Sequence, residues 1–273
     1  MKKTTILTVL TLLFSYAAFS QGPKVSTTEE IERDLKLVPC NYADRLTAVQ
    51  GLFHSMGATD ADMTVQDVKG TKNLVVTKKG TSTETIIVGA HYDKVSDGCG
   101  AIDNWTGIVA IAHLYRTLHN VQTAKTIKFI AFDKEEKGLV GSDVFVSEIP
   151  KAERASVCSM VNIDSFGFTA PWVMENSSVK TLLSDAKGLW KEMKLELMSV
   201  AIEGADADSS SFKKAGIPAI TFTGLDGHWM EFLHSQRDQL KNLKPESVYL
   251  GYRLVLPFVA HLDKASCDAF RKK

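Results

Sequence analysis

The sequence has no excess of either charge: 32 Lys and Arg balance 32 Asp and Glu across 273 residues. That balance removes the electrostatic reason to expect nucleic acid or an anionic membrane surface as a partner. There is no HExxH stretch, which argues against a helix-borne single-zinc site. There is no GxSxG elbow, so Ser209–Ser211 with His234 make a poor serine-nucleophile pair. There is no CxxC among the four cysteines, which argues against a thiolate zinc site. No internal repeat, low-complexity linker or compositional break divides the chain, and beyond Phe19 no apolar run approaches the roughly 20 residues of a membrane span.

What is present begins at the N-terminus. Lys2 and Lys3 precede an uncharged apolar stretch from Ile6 to Phe19, and the small residues Ala18 and Ser20 have the spacing of a cleavage site. Residues 1–20 therefore read as a secretory signal peptide, and 21–273 as a single domain that is secreted or periplasmic, with no membrane attachment after signal removal. An oxidising compartment permits one or two disulfides among Cys40, Cys99, Cys158 and Cys267. Three full pairings are possible and the spacing does not choose; each cysteine also suits a small buried apolar site.

Apolar periodicity predicts helices over Thr28–Leu37, from the Asn41 cap to about Ser55, and over Asn104–Leu118, Val179–Met193 and Ser247–Leu262, the last kinked at Pro257. Another helix begins in Ser142–Ser147. Strand-like runs cover Lys72–Thr77, Glu84–Ala90, Thr126–Phe132, Val157–Ile163, Leu195–Val200 and Pro218–Thr223. The first two, joined around Lys79-Gly80-Thr81, read as a hairpin. Strands alternating with helices predict an α/β three-layer sandwich, a mixed, mainly parallel central sheet with helices on both faces.

The chemistry gathers where strands end. Ile86–Ala90 runs into His91-Tyr92-Asp93, Ile127–Phe132 into Asp133-Lys134-Glu135-Glu136, and Met160–Ile163 into Asp164. Ala219–Phe222 leads to a loop reaching His234, and Asp103 stands before a helix. In open α/β sheets that edge is where ligands bind. Singly, each residue has an ordinary explanation: a helix cap for Asp103, a solvated face for Glu135-Glu136, a turn for Asp164. Together, two histidines and several carboxylates form a nitrogen and oxygen donor set suited to zinc, and so many acids need a cation.

The runs Gly89-Ala90-His91-Tyr92-Asp93, Gly100–Gly107, Glu135–Ser142, Asn162-Ile163-Asp164 and His234–Asp238 resemble, in order, the motifs of the secreted two-zinc aminopeptidases. These are the twenty-eighth metallopeptidase family, of bacterial leucine-aminopeptidase type, related to glutamate carboxypeptidase and glutaminyl cyclase. The resemblance runs from about Lys72 to Leu243. It implies a zinc-exopeptidase-like fold, two Zn2+ per chain and peptide substrates cleaved at the N-terminal residue. It implies that His91 and Asp164 hold one metal, Glu136 and His234 the other, and that Asp103 bridges them. It makes Glu135 the general base and Asp93 the acid that orients His91, with Asp238 in a similar supporting role near His234 or merely a loop or cap residue.

Departures accompany the match. Relatives of this type carry a Tyr where Leu233 stands, and Tyr92, Trp229 or Tyr249 are candidates to replace that donor. Asp206–Phe212 resembles the family's Asp-x-x-x-Phe segment lining the substrate pocket, with Ser209 in place of the usual His. Phe166, Phe168, Trp172 and Phe222 suit core packing better than a pocket wall. His54, His113, His119, His228 and His261 match no ligand motif. A single-zinc glutaminyl cyclase using Glu135 as an acid is the runner-up. A dipeptidase or carboxypeptidase of the same family is a further alternative, and a binding module with a decayed metal site is disfavoured by the complete donor set. The preferred N-terminal residue and the oligomeric state are not encoded in any motif.

Overall fold

The computed structural model describes residues 22–271. The signal-peptide segment, residues 1–20, lies outside them. Helix α1 (Thr28–Leu35) is started by a reciprocal cap in which the Thr27 hydroxyl accepts the Glu30 amide and the Glu30 carboxylate accepts the Thr27 amide. Helix α2 (Tyr42–Ser55) is capped by Asn41, whose side chain accepts the Ala43 amide.

Strands β1 (Met63–Val68) and β2 (Thr71–Lys78) follow, then β3 (Thr85–His91), α3 (Thr106–Leu118), β4 (Thr126–Phe132), α4 (Val140–Ser147) and β5 (Val157–Asp164). The remainder is β6 (Trp172–Met174), α5 (Lys180–Glu192), the two-residue β7 (Ser199–Val200), α6 (Ser209–Lys214), β8 (Ala219–Thr223) and α7 (Pro245–Lys264). Pro257 lies inside α7.

All eight strands form one mixed sheet in the order β1-β2-β4-β3-β5-β8-β6-β7. Its centre, β4-β3-β5-β8, is parallel throughout. Every residue of β3 and β5 is buried, as expected of parallel strands covered on both faces. Alternation divides the core in two. Ile86, Val88 and Ala90 of β3 face a large cluster with α1, α2, α3, α5 and α7, while Ile87 faces a smaller one with Phe145 of α4 and Phe212 of α6. The expected three-layer sandwich is therefore the observed one.

The expected hairpin is not where the turn signal placed it. β2 and β3 do not pair, because β4 inserts between them, antiparallel to β2 and parallel to β3. The actual hairpin joins β1 to β2 through Lys69 and Gly70, both at positive φ (52° and 72°), which matches the twist of the flanking strands. β1 gives a weak signal because none of its residues is buried and its alternation breaks after Met63-Thr64-Val65-Gln66. Of the Leu195–Val200 run only Ser199–Val200 is strand, and β6 and α6 were missed because both are short.

All four cysteines are paired, Cys40 with Cys99 and Cys158 with Cys267, so none is a free buried thiol. Among the described residues no helix is long and apolar enough to cross a membrane.

Candidate metal centre

The chain passes from β3 to β4 on one side of the sheet and then to β5 on the other, opening a crevice at the strand C-termini. Each strand delivers its residue there. His91 is the last residue of β3 and Asp164 the last of β5. Glu135 and Glu136 form a one-turn 3-10 helix just after β4. Asp103 lies in the irregular turn Ala101–Trp105 that precedes α3. His234 comes from the loop after β8. Among the described residues, four of the six non-glycine residues at positive φ flank or belong to this edge: Lys134, Leu139, Ser165 and His234. Such sparsely populated backbone gathers at functional sites.

All five expected ligands converge in two groups that share one member. His91, Asp103 and Asp164 offer donor atoms within 4.8 Å of one another, and so do Asp103, Glu136 and His234. Asp103 divides its carboxylate between the groups. One oxygen is 3.0 Å from His91 Nε2 and the other 3.2 Å from His234 Nε2. His234 Nε2 also lies 3.0 Å from Glu136 Oε2, and His91 Nε2 lies 3.7 Å from Asp164 Oδ1. The second Glu136 oxygen is buried and has no hydrogen-bond partner. An unpaired buried oxygen in a cluster of acids and imidazoles is what a bound cation would satisfy, so the donor set fits the implied metals.

Asp93 sits beneath the centre and touches three of its members. Its Oδ1 is 3.3 Å from His91 Nδ1, the contact a metal-bound imidazole needs. Its two oxygens also accept the backbone amides of Glu135 (3.0 Å) and Glu136 (3.2 Å). Asn104 ties the turn carrying Asp103 to the end of β5, donating to the Ile163 carbonyl and accepting the amides of Gly107 and Ser165.

The electrostatics describe a site built for positive charge. Burial opposes a charged His91, yet the charge of Glu135 and the bonds to Asp103, Asp164 and Asp93 raise its pKa well above the usual range. Hydrogen bonds to Asp103 and Glu136 push His234 up to about 10. Burial pushes Glu135 well above the carboxylate range despite His91 nearby, and the charges of Asp208, Asp164 and Asp103 add to the rise. Burial likewise raises Glu136, reinforced by Asp103.

The structure alters several expectations. Asp238 does not serve His234; its carboxylate accepts the amides of Ile102 (2.7 Å) and Asp103 (3.2 Å), so it supports the bridging turn. Of the three replacements considered for the absent Tyr, only Trp229 lines the cavity, which holds about 350 Å³ over the donor groups. Tyr92 donates to the Lys72 carbonyl and Tyr249 accepts from Arg253. Leu233, Met174 and Leu225 supply the cavity's apolar wall. Phe166 and Phe222 are core, and Phe168 packs on Phe232.

Ser209 bonds Thr221 and the Ser177 carbonyl, and the other five histidines stay outside both donor groups. Two further buried charged residues belong to the surroundings of the centre. Asp208 is fully buried with neither oxygen paired, and burial pushes its carboxyl up to about 7. Arg45 lies buried under the centre. Asp208 opens the Asp-x-x-x-Phe segment noted in the sequence, whereas Arg45 stands in no motif that singles it out.

Residues 73–259 match the model of Peptidase family M28, and the chain belongs to that family. It is similar to "Aminopeptidase YwaD" of Bacillus subtilis, 28% identical over 182 residues, covering 63% of this chain and 40% of that one. Among solved structures it resembles BSAP, a zinc aminopeptidase from Bacillus subtilis, with a TM-score of 0.64 and 24% identity over 74% of this chain and 53% of the other. It also resembles a glutaminyl cyclase from Fimbriiglobus ruber, with a TM-score of 0.69 and 16% identity over 89% of this chain and 98% of that one. The chain spans less than half the length of two of the curated relatives it matches, 40% and 43%.

Proposed function

We propose that the protein is an exported zinc aminopeptidase that releases the N-terminal residue of peptides. The observation that carries this reading is the divided carboxylate of Asp103, which faces one histidine with each oxygen. His91 and Asp164 would hold one Zn2+, Glu136 and His234 the other, and Asp103 would bridge them. Bound zinc would supply Lewis acidity and a readily deprotonated water. Glu135 belongs to neither donor group and lines the same cavity, which suits a general base. It takes the proton of the attacking water and passes it to the departing amine. Asp93 holds the His91 ring and the Glu135-Glu136 backbone in register. Met174, Leu225, Trp229 and Leu233 form a wall for an apolar side chain. The two disulfides agree with the export implied by the N-terminal segment.

The test is a panel of free and Nα-acetylated peptides, with and without chelator. Free peptides should be cut from the amino end, acetylated ones spared, and chelator should abolish turnover until zinc is restored. Cleavage of acetylated peptides from the carboxyl end would reassign the protein to carboxypeptidase action.

Glutaminyl cyclisation is the second reading, supported by a cyclase of nearly the same extent as this chain. One zinc per chain, with conversion of N-terminal Gln peptides to a cyclised product and release of ammonia, would favour it. Two zincs and free amino acid as product favour the aminopeptidase.

A further inference from the structure

Arg45, in α2, is fully buried, and all five of its N–H groups go to backbone carbonyls. Nε donates to Pro39 at 3.0 Å. One terminal nitrogen donates to Tyr92 (2.8 Å) and Asp93 (3.2 Å), the other to Cys99 (2.9 Å) and Gly100 (2.6 Å). One guanidinium thus joins the segment before α2, the chain leaving β3 after His91, and the segment leading into Asp103. Arg alone offers five donors in a fixed planar fork. Burial draws its pKa down to about 10, while the charges of Asp238, Asp103, Asp93 and Glu136 favour the cation, so it stays charged at neutral pH.

Asp238 grips the same loop from its opposite chemical side. Arg45 takes the carbonyls of Cys99 and Gly100, and the Asp238 carboxylate takes the amides of Ile102 and Asp103. The Asp238 carbonyl accepts the Cys99 amide at 2.7 Å. The fit is close enough to require glycine. Gly100 sits at φ +64°, and a Cβ there would lie 2.8 Å from Arg45 Nη2. Gly98 sits at φ +66°, and its Cβ would lie 2.4 Å from the Ser235 carbonyl oxygen. The Cys40–Cys99 disulfide ties the loop to the residue after Pro39, which Arg45 also holds.

We propose that Arg45 is a positioning residue for the metal centre, working opposite Asp238 to fix the 99–103 loop so that Asp103 divides its oxygens between His91 and His234. By holding the carbonyls of Tyr92 and Asp93 it also keeps Asp93 beneath His91 and the paired glutamates. The inference rests on the two-metal reading of the site.

Zinc affinity of the chelator-stripped, refilled protein tests it, measured by competition with a chromogenic chelator alongside thermal melting without metal. Arg45→Lys keeps the charge and loses most of the fork. Arg271→Lys is the control, because Arg271 also donates to carbonyls (Gly216, Arg154, Ala155 and Val157), none of them in a loop that carries a site residue; Val157 opens β5 at the end opposite Asp164. Both variants should melt lower than the parent. Only Arg45→Lys should bind zinc at least about tenfold more weakly, the range seen when groups supporting metal ligands are removed. Asp238→Asn, which replaces one accepting oxygen, should weaken zinc in the same direction and decides the matter where Arg45→Lys does not fold.

Wild-type zinc affinity in Arg45→Lys, or in Asp238→Asn where that variant decides, would overturn the proposal and leave the metal reading standing. A parent protein that takes up no zinc would overturn both.

Discussion

The Asp93 carboxylate and the Glu135 backbone amide are hydrogen-bonded at 3.0 Å across two loops that follow different strands. The same carboxylate takes the Glu136 amide and faces His91, so one side chain sets the place of the proposed base and of two proposed ligands. Asn at this position offers one accepting oxygen where two are used, and turns an NH2 toward one of the amides. Asp93→Asn is therefore expected to lower kcat/KM by about 10- to 100-fold and to weaken zinc binding. Steady-state kinetics at saturating zinc, with metal titration, measures both. Parent values for both would remove Asp93 from the machinery.

Glu135→Gln separates the base from the ligands. Glu135 is in neither donor group, so the variant should keep the parent's zinc content by elemental analysis. Its kcat should fall by about 10²- to 10⁴-fold, the usual contribution of a positioned proton acceptor. Loss of metal in this variant would mean that Glu135 ligates; near-parent turnover would mean that another group takes the proton.

How much of this was legible in the sequence depends on how local the determinant is. His91, Asp103, Glu136 and Asp164 lie at the ends of apolar runs or at a helix start, and the strand-end rule places them together before any coordinates are known. The pairing of β2 with β4 is different. It depends on a strand arriving some fifty residues later, whereas the turn signal at Lys79-Gly80 is local, so the hairpin was assigned to the wrong partners. Asp238 was read from its neighbour His234, but its partners are amides 135 and 136 residues away. Arg45 carried no signal at all. On a helix it reads as a surface cation, and only the fold shows five carbonyls closing around it.

The cavity wall makes a specificity prediction. Trp229 lines the cavity beside His234, its ring edge-on to the imidazole at 5.8 Å between centroids. Trp229→Ala removes apolar contact that a leucyl side chain would make and an alanyl one would not. A methylene-scale loss of pocket contact is worth about 1–3 kcal/mol of discrimination, or 10- to 200-fold. The ratio of kcat/KM for leucyl over alanyl p-nitroanilide should therefore fall by at least about tenfold. An unchanged ratio would place the side-chain pocket elsewhere.

Stability at acid pH reports on a second buried cluster, whose side chains are not among the donor groups. Asp34 in α1 is buried, accepts two bonds from Arg33 at 2.8 and 2.9 Å, and lies 3.1 Å from His113 Nε2. Burial alone would raise its pKa, but the bonds to His113 and Arg33 outweigh it and bring the carboxyl down to about 2. The folded value thus lies below the unfolded value of about 3.9, so the ionised form is favoured by folding. That contribution is fully present above pH 4 and is lost as pH falls through about 2. The difference between these two values corresponds to roughly 2–3 kcal/mol. In chelator-stripped protein, where metal loss does not confuse the result, Asp34→Asn should melt several degrees below the parent at pH 7. The gap should narrow steadily between pH 4 and pH 2. A gap that stays constant down to pH 2 would show that the carboxylate's charge contributes nothing and that only its shape matters.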